Sequence, residues 1–269
     1  IMKIKAGFVQ FNPEFGVVEE NLSRAWALLA AVDAQLVVLP ELFNTGYLIA
    51  SREEAWSLGE EIPRGRTTVA LSEMAREKNL HIVAGLIEKS DDKLYNAAVL
   101  ISPGGYMAKY RKLHLFNEEK LWFAPGDLGF AVHDLGIGRI GIMICFDWFF
   151  PESMRVLALQ GADVVCHPAN LVLPFCQDAM ITRCLENRVY AITANRTGTE
   201  TRAGKSFRYT GRSQITAPGA QVLCQADAGT EEIGTAELDL AVVRDKKINA
   251  YNDLFSDRRT GHYVEILSS

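Results

Sequence analysis

Short segments rich in apolar and β-branched residues recur along the chain and alternate with stretches of helical periodicity. Two of them, LVVL at 36–39 and IGIMIC at 140–145, have no charged or hydrogen-bonding side chains, which is typical of strands covered on both faces. Such strands need layers on either side, so the sequence predicts a layered α/β architecture. The predicted strands are Lys5–Phe11, Gln35–Leu39, His81–Ile87, Ala97–Ser102, Arg139–Cys145, Asp163–His167, Ala191–Ala194 and Glu232–Leu238.

Helical periodicity fills the segments between several of these strands. Pro103–Gly105 predicts a hairpin turn, and with it a partly antiparallel sheet. We expect one domain over residues 2–269, because no low-complexity linker, charge block or repeat divides the chain. The segment TGTETRAGK at 197–205 is predicted to be a surface loop, and Arg183 and Glu186 are spaced to pair on one helix. The predicted helices are Asn21–Val32, Thr67–Lys78, Ser153–Leu159 and Gln177–Tyr190.

The composition argues against several classes of function. The formal net charge is -5, so the chain lacks the basic balance of nucleic-acid-binding proteins, and no nucleic-acid partner is expected. No apolar run is long enough to span a bilayer, and the first residues lack the pattern of a secretion signal. The five cysteines include no CxxC pair, which argues against a zinc site, and their odd number favours free thiols. We therefore expect a cytoplasmic protein without a metal or other cofactor.

Three reactive side chains stand at the ends of predicted strands. Glu41 follows the apolar run LVVLP, Lys112 ends the strand-like run YMAKYRK, and Cys145 closes the run RIGIMIC. The carboxyl ends of strands are where open α/β sheets usually place their sites. Each residue also has an ordinary structural interpretation, as a surface carboxylate, a solvated lysine and a small buried thiol. Position alone leaves both interpretations open.

The chemistry of thiol catalysis explains why these three residue types would belong together. A thiol needs a proton acceptor to become a nucleophile, and a buried carboxylate can serve as that acceptor. The same carboxyl group can return the proton to a leaving amine, while a lysine ammonium stabilises the oxyanion. The turn and the Pro-Glu helix start after Cys145 suit a nucleophile elbow in outline. Such a site needs neither histidine nor a metal.

Taken together, the segments around these residues resemble the nitrilase superfamily of carbon–nitrogen hydrolases. LVVLPELFNTGY at 36–47, KYRKLHLFNEE at 109–119 and GIMICFDWFFPE at 141–152 are similar to its glutamate, lysine and cysteine motifs. FAPGD at 123–127 and HPANL at 167–171 add to the likeness, which extends over essentially the whole chain. The resemblance implies that the layers form a four-layer α-β-β-α sandwich.

The resemblance also implies a role for each matching residue. Glu41 would be the general base, Lys112 the oxyanion stabiliser and Cys145 the nucleophile. The backbone N–H of Phe146 would complete the oxyanion hole, and Glu119 would orient the substrate and the thiol. The side chains that would shape the substrate pocket are Tyr47, Phe116, Trp148 and Asn170.

Partners and substrates follow from the same resemblance. Family members pair through helices near the nucleophile, so the helices starting near Pro151 and at Gln177 would form the interface of a homodimer or a higher oligomer. The stretch CFDWFFPE is similar to the aspartate-containing form found in amidases and carbamoylases. This form implies a small aliphatic amide, or an N-carbamoyl compound, hydrolysed to acid and ammonia through a thioester. A small aliphatic nitrile hydrolysed by the same residues is the alternative.

Three other hypotheses fit parts of the sequence. GIGRIG at 136–141 matches GxGxxG literally, but it leads into a predicted strand, so a turn between strands is favoured over dinucleotide binding. A cysteine–histidine pair with His114 or His167 as the base would be a different thiol mechanism. A catalytically silent binding protein on the same fold is the non-enzymatic hypothesis, and the presence of all three reactive residues argues against it.

Overall fold

Two β-sheets lie face to face in the computed structural model, which describes residues 3–267. The strands, numbered β1 to β15 along the chain, are Lys3–Gln10, Leu36–Val38, Glu60–Glu61, His81–Ser90, Lys93–Ser102, Gly105–Arg111, Val132–Asp134, Arg139–Ile142, Val164–Ala169, Tyr190–Asn195, Thr199–Arg202, Lys205–Arg208, Gln214–Ala217, Gln221–Gln225 and Glu232–Asp239. The α-helices, α1 to α7, are Val18–Ala30, Arg52–Leu58, Arg66–Lys78, Glu119–Trp122, Pro151–Leu159, Cys176–Asn187 and Ala241–Arg244. Short 3-10 helices span Cys145–Phe149, Thr260–His262 and Val264–Leu267.

Both sheets have parallel strands in the middle and antiparallel strands at the sides. The first sheet has the order β15-β1-β2-β4-β5-β6, and β3 also pairs with β4. In this sheet β1, β2 and β4 are parallel, while β15, β5 and β6 are antiparallel to their neighbours. The second sheet has the order β14-β13-β10-β9-β8-β7, with β8, β9 and β10 parallel. The carboxyl ends of the parallel strands in each sheet therefore lie at one edge.

The run LVVL, which forms β2 and the residue after it, shows why a strand in this fold can consist only of apolar residues. Leu36 and Val38 belong to the core between the two sheets, to which the second sheet contributes side chains such as Ile142. Val37 and Leu39 point the other way, into a core shared with α1 and α3. On the second sheet α5 and α6 supply the corresponding outer layer. The four-layer α-β-β-α sandwich implied by the sequence is confirmed.

Most predicted elements are confirmed with shifted ends. Each of the eight predicted strands overlaps an observed one, and Pro103–Gly105 turns the chain from β5 into β6. The four predicted helices correspond to α1, α3, α5 and α6. The last of these ends at Asn187 rather than Tyr190, because Arg188 adopts a left-handed backbone conformation and Tyr190 begins β10. The Arg183 guanidinium and the Glu186 carboxylate pair at 3.2 Å, as their spacing predicts.

Two local predictions were wrong. The segment 197–205 contains β11 and the first residue of β12, which pair as an antiparallel hairpin instead of forming a plain loop. The strand predicted to reach Cys145 ends at Ile142, and Cys145 begins a 3-10 helix. The first half of the GIGRIG segment forms the turn between β7 and β8, as predicted, and the second half belongs to β8. Within residues 3–267 we find no helix with the length and apolar character needed to cross a membrane.

Candidate active site

Backbone hydrogen bonds hold the loop that carries Glu41 against β4. The Gly85 N–H donates to the Pro40 carbonyl at 3.2 Å, and the Phe43 N–H donates to the Gly85 carbonyl at 3.1 Å. The two segments approach so closely that a Cβ on Gly85 would lie 2.6 Å from the Glu41 Cα. The Glu41 side chain is fully buried, and its place is set by this contact between β4 and the loop after β2.

A buried ion cluster joins the three acidic and basic residues predicted from the sequence. The Lys112 Nζ donates to Glu41 Oε1 at 2.7 Å and to Glu119 Oε1 at 2.8 Å. Glu41 Oε1 also accepts from the Asn96 Nδ2 at 2.7 Å, and Glu119 Oε1 accepts from the Tyr47 hydroxyl at 2.7 Å. The cluster is sealed from water, so each charge depends on its partners.

Burial and mutual charge shift the pKa values within the cluster. Burial by itself would lower the pKa of Lys112, but the charges of Glu119 and Glu41 outweigh that effect and raise it. Burial raises the pKa of Glu119, and the nearby Lys112 ammonium opposes the rise. The pKa of the Tyr47 phenol is raised by burial and by the Glu119 charge, so Tyr47 acts as a hydrogen-bond donor. Lys112 therefore stays an ammonium between two carboxyl groups.

Cys145 occupies a strained turn beyond the end of β8. Its backbone φ of 41° lies in the left-handed region, which is costly for a residue with a side chain and is often found at functional sites. Burial and the charge of Glu41 raise the pKa of the Cys145 thiol, whereas Lys112 acts in the opposite direction. The resting thiol is therefore protonated and needs a base before it can act as a nucleophile.

Asp147 connects the turn that carries Cys145 to the segment after Lys112, a connection that was not predicted from the sequence. Its Oδ2 accepts from the Ile144 N–H and from the Tyr110 hydroxyl, both at 2.8 Å. Its Oδ1 accepts from the His114 N–H at 3.1 Å and from the His114 Nδ1 at 2.7 Å. The carboxylate is fully buried, and these donors explain why it can be. The aspartate in CFDWFFPE was the available signal, but the sequence does not reveal its partners.

A small cavity opens at Cys145. It contains about 240 Å³ of empty space, part of which is open to solvent. Three of the four predicted pocket residues lie on its wall, together with Phe146, predicted for the oxyanion hole, and a short run of aliphatic residues. The lining consists of Phe116, Cys145, Phe146, Trp148, Asn170, Leu171, Val172 and Leu173. Apart from Asn170 and the thiol, the lining side chains are apolar, so the cavity suits a small uncharged group.

Tyr47 is brought to the cluster but does not line that cavity. It lines a neighbouring cavity with Glu119 and Phe207, whose ring centroid lies 6.5 Å from that of Tyr47. Its loop is held by the β11–β12 hairpin, because the Glu200 carboxylate accepts from the backbone N–H groups of Tyr47 at 3.2 Å and Leu48 at 2.7 Å. Glu200 in turn pairs with the buried Arg196. The hairpin mistaken for a plain loop thus supports a predicted site residue.

Both candidate histidine bases form hydrogen bonds with groups other than the Cys145 thiol. The His167 Nε2 lies 2.9 Å from the Cys145 carbonyl and must donate to it, so Nδ1 accepts from the Thr193 hydroxyl at 3.1 Å. Neither nitrogen of His167 is left to take a proton from the thiol. His114 donates through Nδ1 to Asp147 and stacks on Phe150 at 3.7 Å between ring centroids. This geometry favours a carboxylate base over a cysteine–histidine pair.

Comparison with known proteins gives concordant results. A family model described as carbon-nitrogen hydrolase matches residues 5–248. The chain is 51% identical over 263 residues to a nitrilase of Pyrococcus abyssi, covering 97% of this chain and 99% of that protein. It is 33% identical over 266 residues to an omega-amidase of Bos taurus, with 92% of each chain covered. A solved carbon-nitrogen hydrolase of Helicobacter pylori G27 superposes with a TM-score of 0.91 at 26% identity, covering 100% of this chain and 99% of that chain.

Proposed function

Because the chain belongs to the carbon-nitrogen hydrolase family, we propose that it hydrolyses a small neutral carboxamide to a carboxylic acid and ammonia. The observation that carries this proposal is the fully buried Lys112 ammonium, which lies between Glu41 and Glu119 and interacts electrostatically with Cys145. A thiol, a carboxylate and an ammonium in one dry cluster are the groups that acyl transfer requires.

The first half of the proposed reaction forms a thioester. Glu41 takes the proton of the Cys145 thiol as Sγ attacks the carbonyl carbon of the substrate. The carbonyl oxygen becomes an oxyanion, which the Lys112 ammonium and the backbone N–H of Phe146 stabilise. Protonated Glu41 then gives its proton to the nitrogen, the carbon–nitrogen bond breaks, and ammonia leaves. Cys145 is left as a thioester of the acyl group.

The second half releases the acid. Glu41, again a carboxylate, takes a proton from a water molecule, and the oxygen attacks the thioester carbon. Collapse of this second tetrahedral intermediate breaks the carbon–sulfur bond, and the sulfur recovers a proton from Glu41. One amide and one water are thereby converted to one acid and one ammonia. Glu119 supports the cycle by holding Lys112 and Tyr47 in place.

The cavity at Cys145 supports a neutral and compact acyl group. Its lining includes no lysine, arginine, aspartate or glutamate that could pair with a charged substrate. The space beside the thiol is small, because part of the 240 Å³ of empty space in the cavity is open to solvent. A short aliphatic amide fits these constraints better than an amino acid derivative that carries a carboxylate.

A nitrile is the second candidate substrate, and the relative at 51% identity favours it, because that protein is named a nitrilase. Attack of Cys145 on a nitrile would give a thioimidate, which water would hydrolyse through the same residues. The two candidates differ in the substrate and share the triad.

The test is ammonia release from matched sets of small aliphatic amides, N-carbamoyl compounds and nitriles, with Cys145→Ala as the control. We expect release from uncharged short amides and about a thousandfold or greater loss in Cys145→Ala, the scale seen when a nucleophile is removed. Full activity in that variant would refute the assignment of Cys145. The absence of turnover on every compound, with the thiols intact, would refute the proposed function and favour the silent binding protein.

A further inference from the structure

Several buried side-chain acceptors among residues 3–267 lack a hydrogen-bond partner, and two of them belong to residues that interact with Cys145. They are Oε2 of Glu41 and Oδ1 of Asn170, and both side chains are almost completely buried, with exposed fractions of 0% and 3%. Buried polar atoms in folded proteins nearly always have a partner, so unpaired acceptors beside a reactive thiol point to a ligand that brings donors. Oε2 of Glu41 is accounted for by the proposed proton transfer. Oδ1 of Asn170 is not.

Asn170 is held in one orientation by its other amide atom. Its Nδ2 lies 2.9 Å from the backbone carbonyl of Glu41, and only the NH₂ group of an amide can donate to a carbonyl. Oδ1 is therefore the atom left over. The backbone N–H of Asn170 also interacts with the Cys145 thiol, and the residue lines the cavity where the thiol lies. A single residue thus contacts the loop of Glu41, the thiol and the substrate space.

The next residue fixes the turn on which Asn170 stands. The Leu171 N–H donates to Asn195 Oδ1 at 2.8 Å, and Asn195 Nδ2 donates to the Gly211 carbonyl at 2.7 Å. The turn after β9 is thereby tied to the segment after β10. Oδ1 of Asn170 is consequently a preorganised acceptor, which can bind a donor without the entropy loss of ordering its own side chain.

We propose that Asn170 Oδ1 accepts a hydrogen bond from the substrate NH₂ group and that Asn170 determines the preference for carboxamides over substrates without N–H donors. This inference rests on the proposed function. Holding one N–H on Asn170 turns the nitrogen lone pair of the tetrahedral intermediate toward the proton on Glu41 Oε2. A nitrile nitrogen or an ester oxygen carries no hydrogen, so either would leave Oδ1 unpaired.

The test compares a primary amide with the methyl ester of the same acid, because both give the same thioester on Cys145. In Asn170→Ala we expect kcat/KM for the amide to fall about 10- to 100-fold more than for the ester, the scale of one lost hydrogen bond to a buried group. The preference for the amide over the nitrile with the same aliphatic group should narrow by a similar factor. Asn170→Leu, which is similar in size and has no acceptor, provides the same comparison if the alanine variant does not fold.

Asn96→Ala is the matched control. Asn96 also donates to Glu41, but it does not line the cavity, so its loss should lower amide and ester turnover by the same factor. Equal loss on both substrates in Asn170→Ala would overturn the inference and leave Asn170 as a support for Glu41. Absence of amide and ester turnover in the unsubstituted protein would instead overturn the proposed function itself.

Discussion

Lys112 and Cys145 show how burial sets the chemistry of single residues in this molecule. The Lys112 ammonium can be buried because Glu41 and Glu119 face it, and they raise its pKa despite the cost of desolvation. The same burial raises the pKa of the Cys145 thiol and keeps it protonated. The proposed nucleophile is therefore generated only when Glu41 takes the proton, which protects the thiol while no substrate is bound.

His167 provides a prediction about stability at acidic pH. Burial lowers the pKa of His167 from 6.5 to about 4, because removal from water disfavours the charged imidazolium. Between these values the unfolded chain binds a proton that the folded protein does not, so stability is full at pH 7 and falls as the pH falls. We expect about 2 kcal/mol of stability to be lost through this residue between pH 7 and pH 5.

The measurement is urea unfolding at both pH values for the unsubstituted protein and for His167→Gln. Glutamine can donate to the Cys145 carbonyl but takes up no proton, so the variant should lose less stability on acidification. His262→Gln controls for the removal of a histidine, because His262 is exposed. An equal loss in the unsubstituted protein and in His167→Gln would show that another group titrates.

Between elements, β4 and the loop that carries Glu41 approach each other closely at Gly85. A methyl group on Gly85 would lie 2.6 Å from the Glu41 Cα and 2.9 Å from the Leu42 backbone nitrogen, so the loop would have to move. A displacement of about 1 Å in a catalytic group can cost on the order of 100-fold in rate. We therefore expect Gly85→Ala to lower kcat on the preferred amide by about that factor.

The same glycine-to-alanine substitution in the β5–β6 turn provides a control. A Cβ on Gly104 would meet only the Ser102 Oγ, at 3.4 Å, so Gly104→Ala should keep its activity. Amide turnover and thermal unfolding of both variants separate displacement of Glu41 from general loss of the fold. Normal activity in a folded Gly85→Ala protein would mean that the loop can relax without moving the carboxylate.

The strands that lead to the site could be predicted from the sequence because their information is local. Apolar runs and the residues that follow them identified the ends of β2, β6 and β8 to within a few residues. Apart from the neighbouring Ile144, the partners of Asp147 could not be predicted, because Tyr110 and His114 lie more than thirty positions away in the chain. The β11–β12 hairpin was missed for a similar reason: its strands are short and polar, and ion pairs such as Arg196–Glu200 and Arg202–Glu54 hold it in place.

At the scale of the whole molecule, the outer face of α5 and α6 exposes several large apolar side chains to solvent. Large apolar side chains lie open on it and around it, including Phe149, Leu159, Phe175 and Leu185, with exposed fractions of 50%, 43%, 59% and 49%. Large exposed apolar patches on soluble proteins often mark an interface. We propose that a second copy covers this face, since the helices near the nucleophile are those that the family resemblance assigns to pairing.

Leu159→Lys tests this proposal. Leu159 is the last residue of α5, where a positive side chain suits the helix dipole, so the substitution should not weaken the helix. For the unsubstituted protein we expect light scattering to give a mass of about twice 29.8 kDa. Burying the lysine charge in an interface would be costly, so the mass of the variant should shift toward that of the single chain. Val69→Lys on α3, which is 45% exposed, is the matched control and should leave the mass unchanged. An unsubstituted protein that is monomeric at micromolar concentration, or a Leu159→Lys protein with unaltered mass, would contradict pairing through α5.

Since α5 begins directly after the turn that holds Cys145, a variant that loses its partner should also lose amide turnover in proportion to the monomer formed.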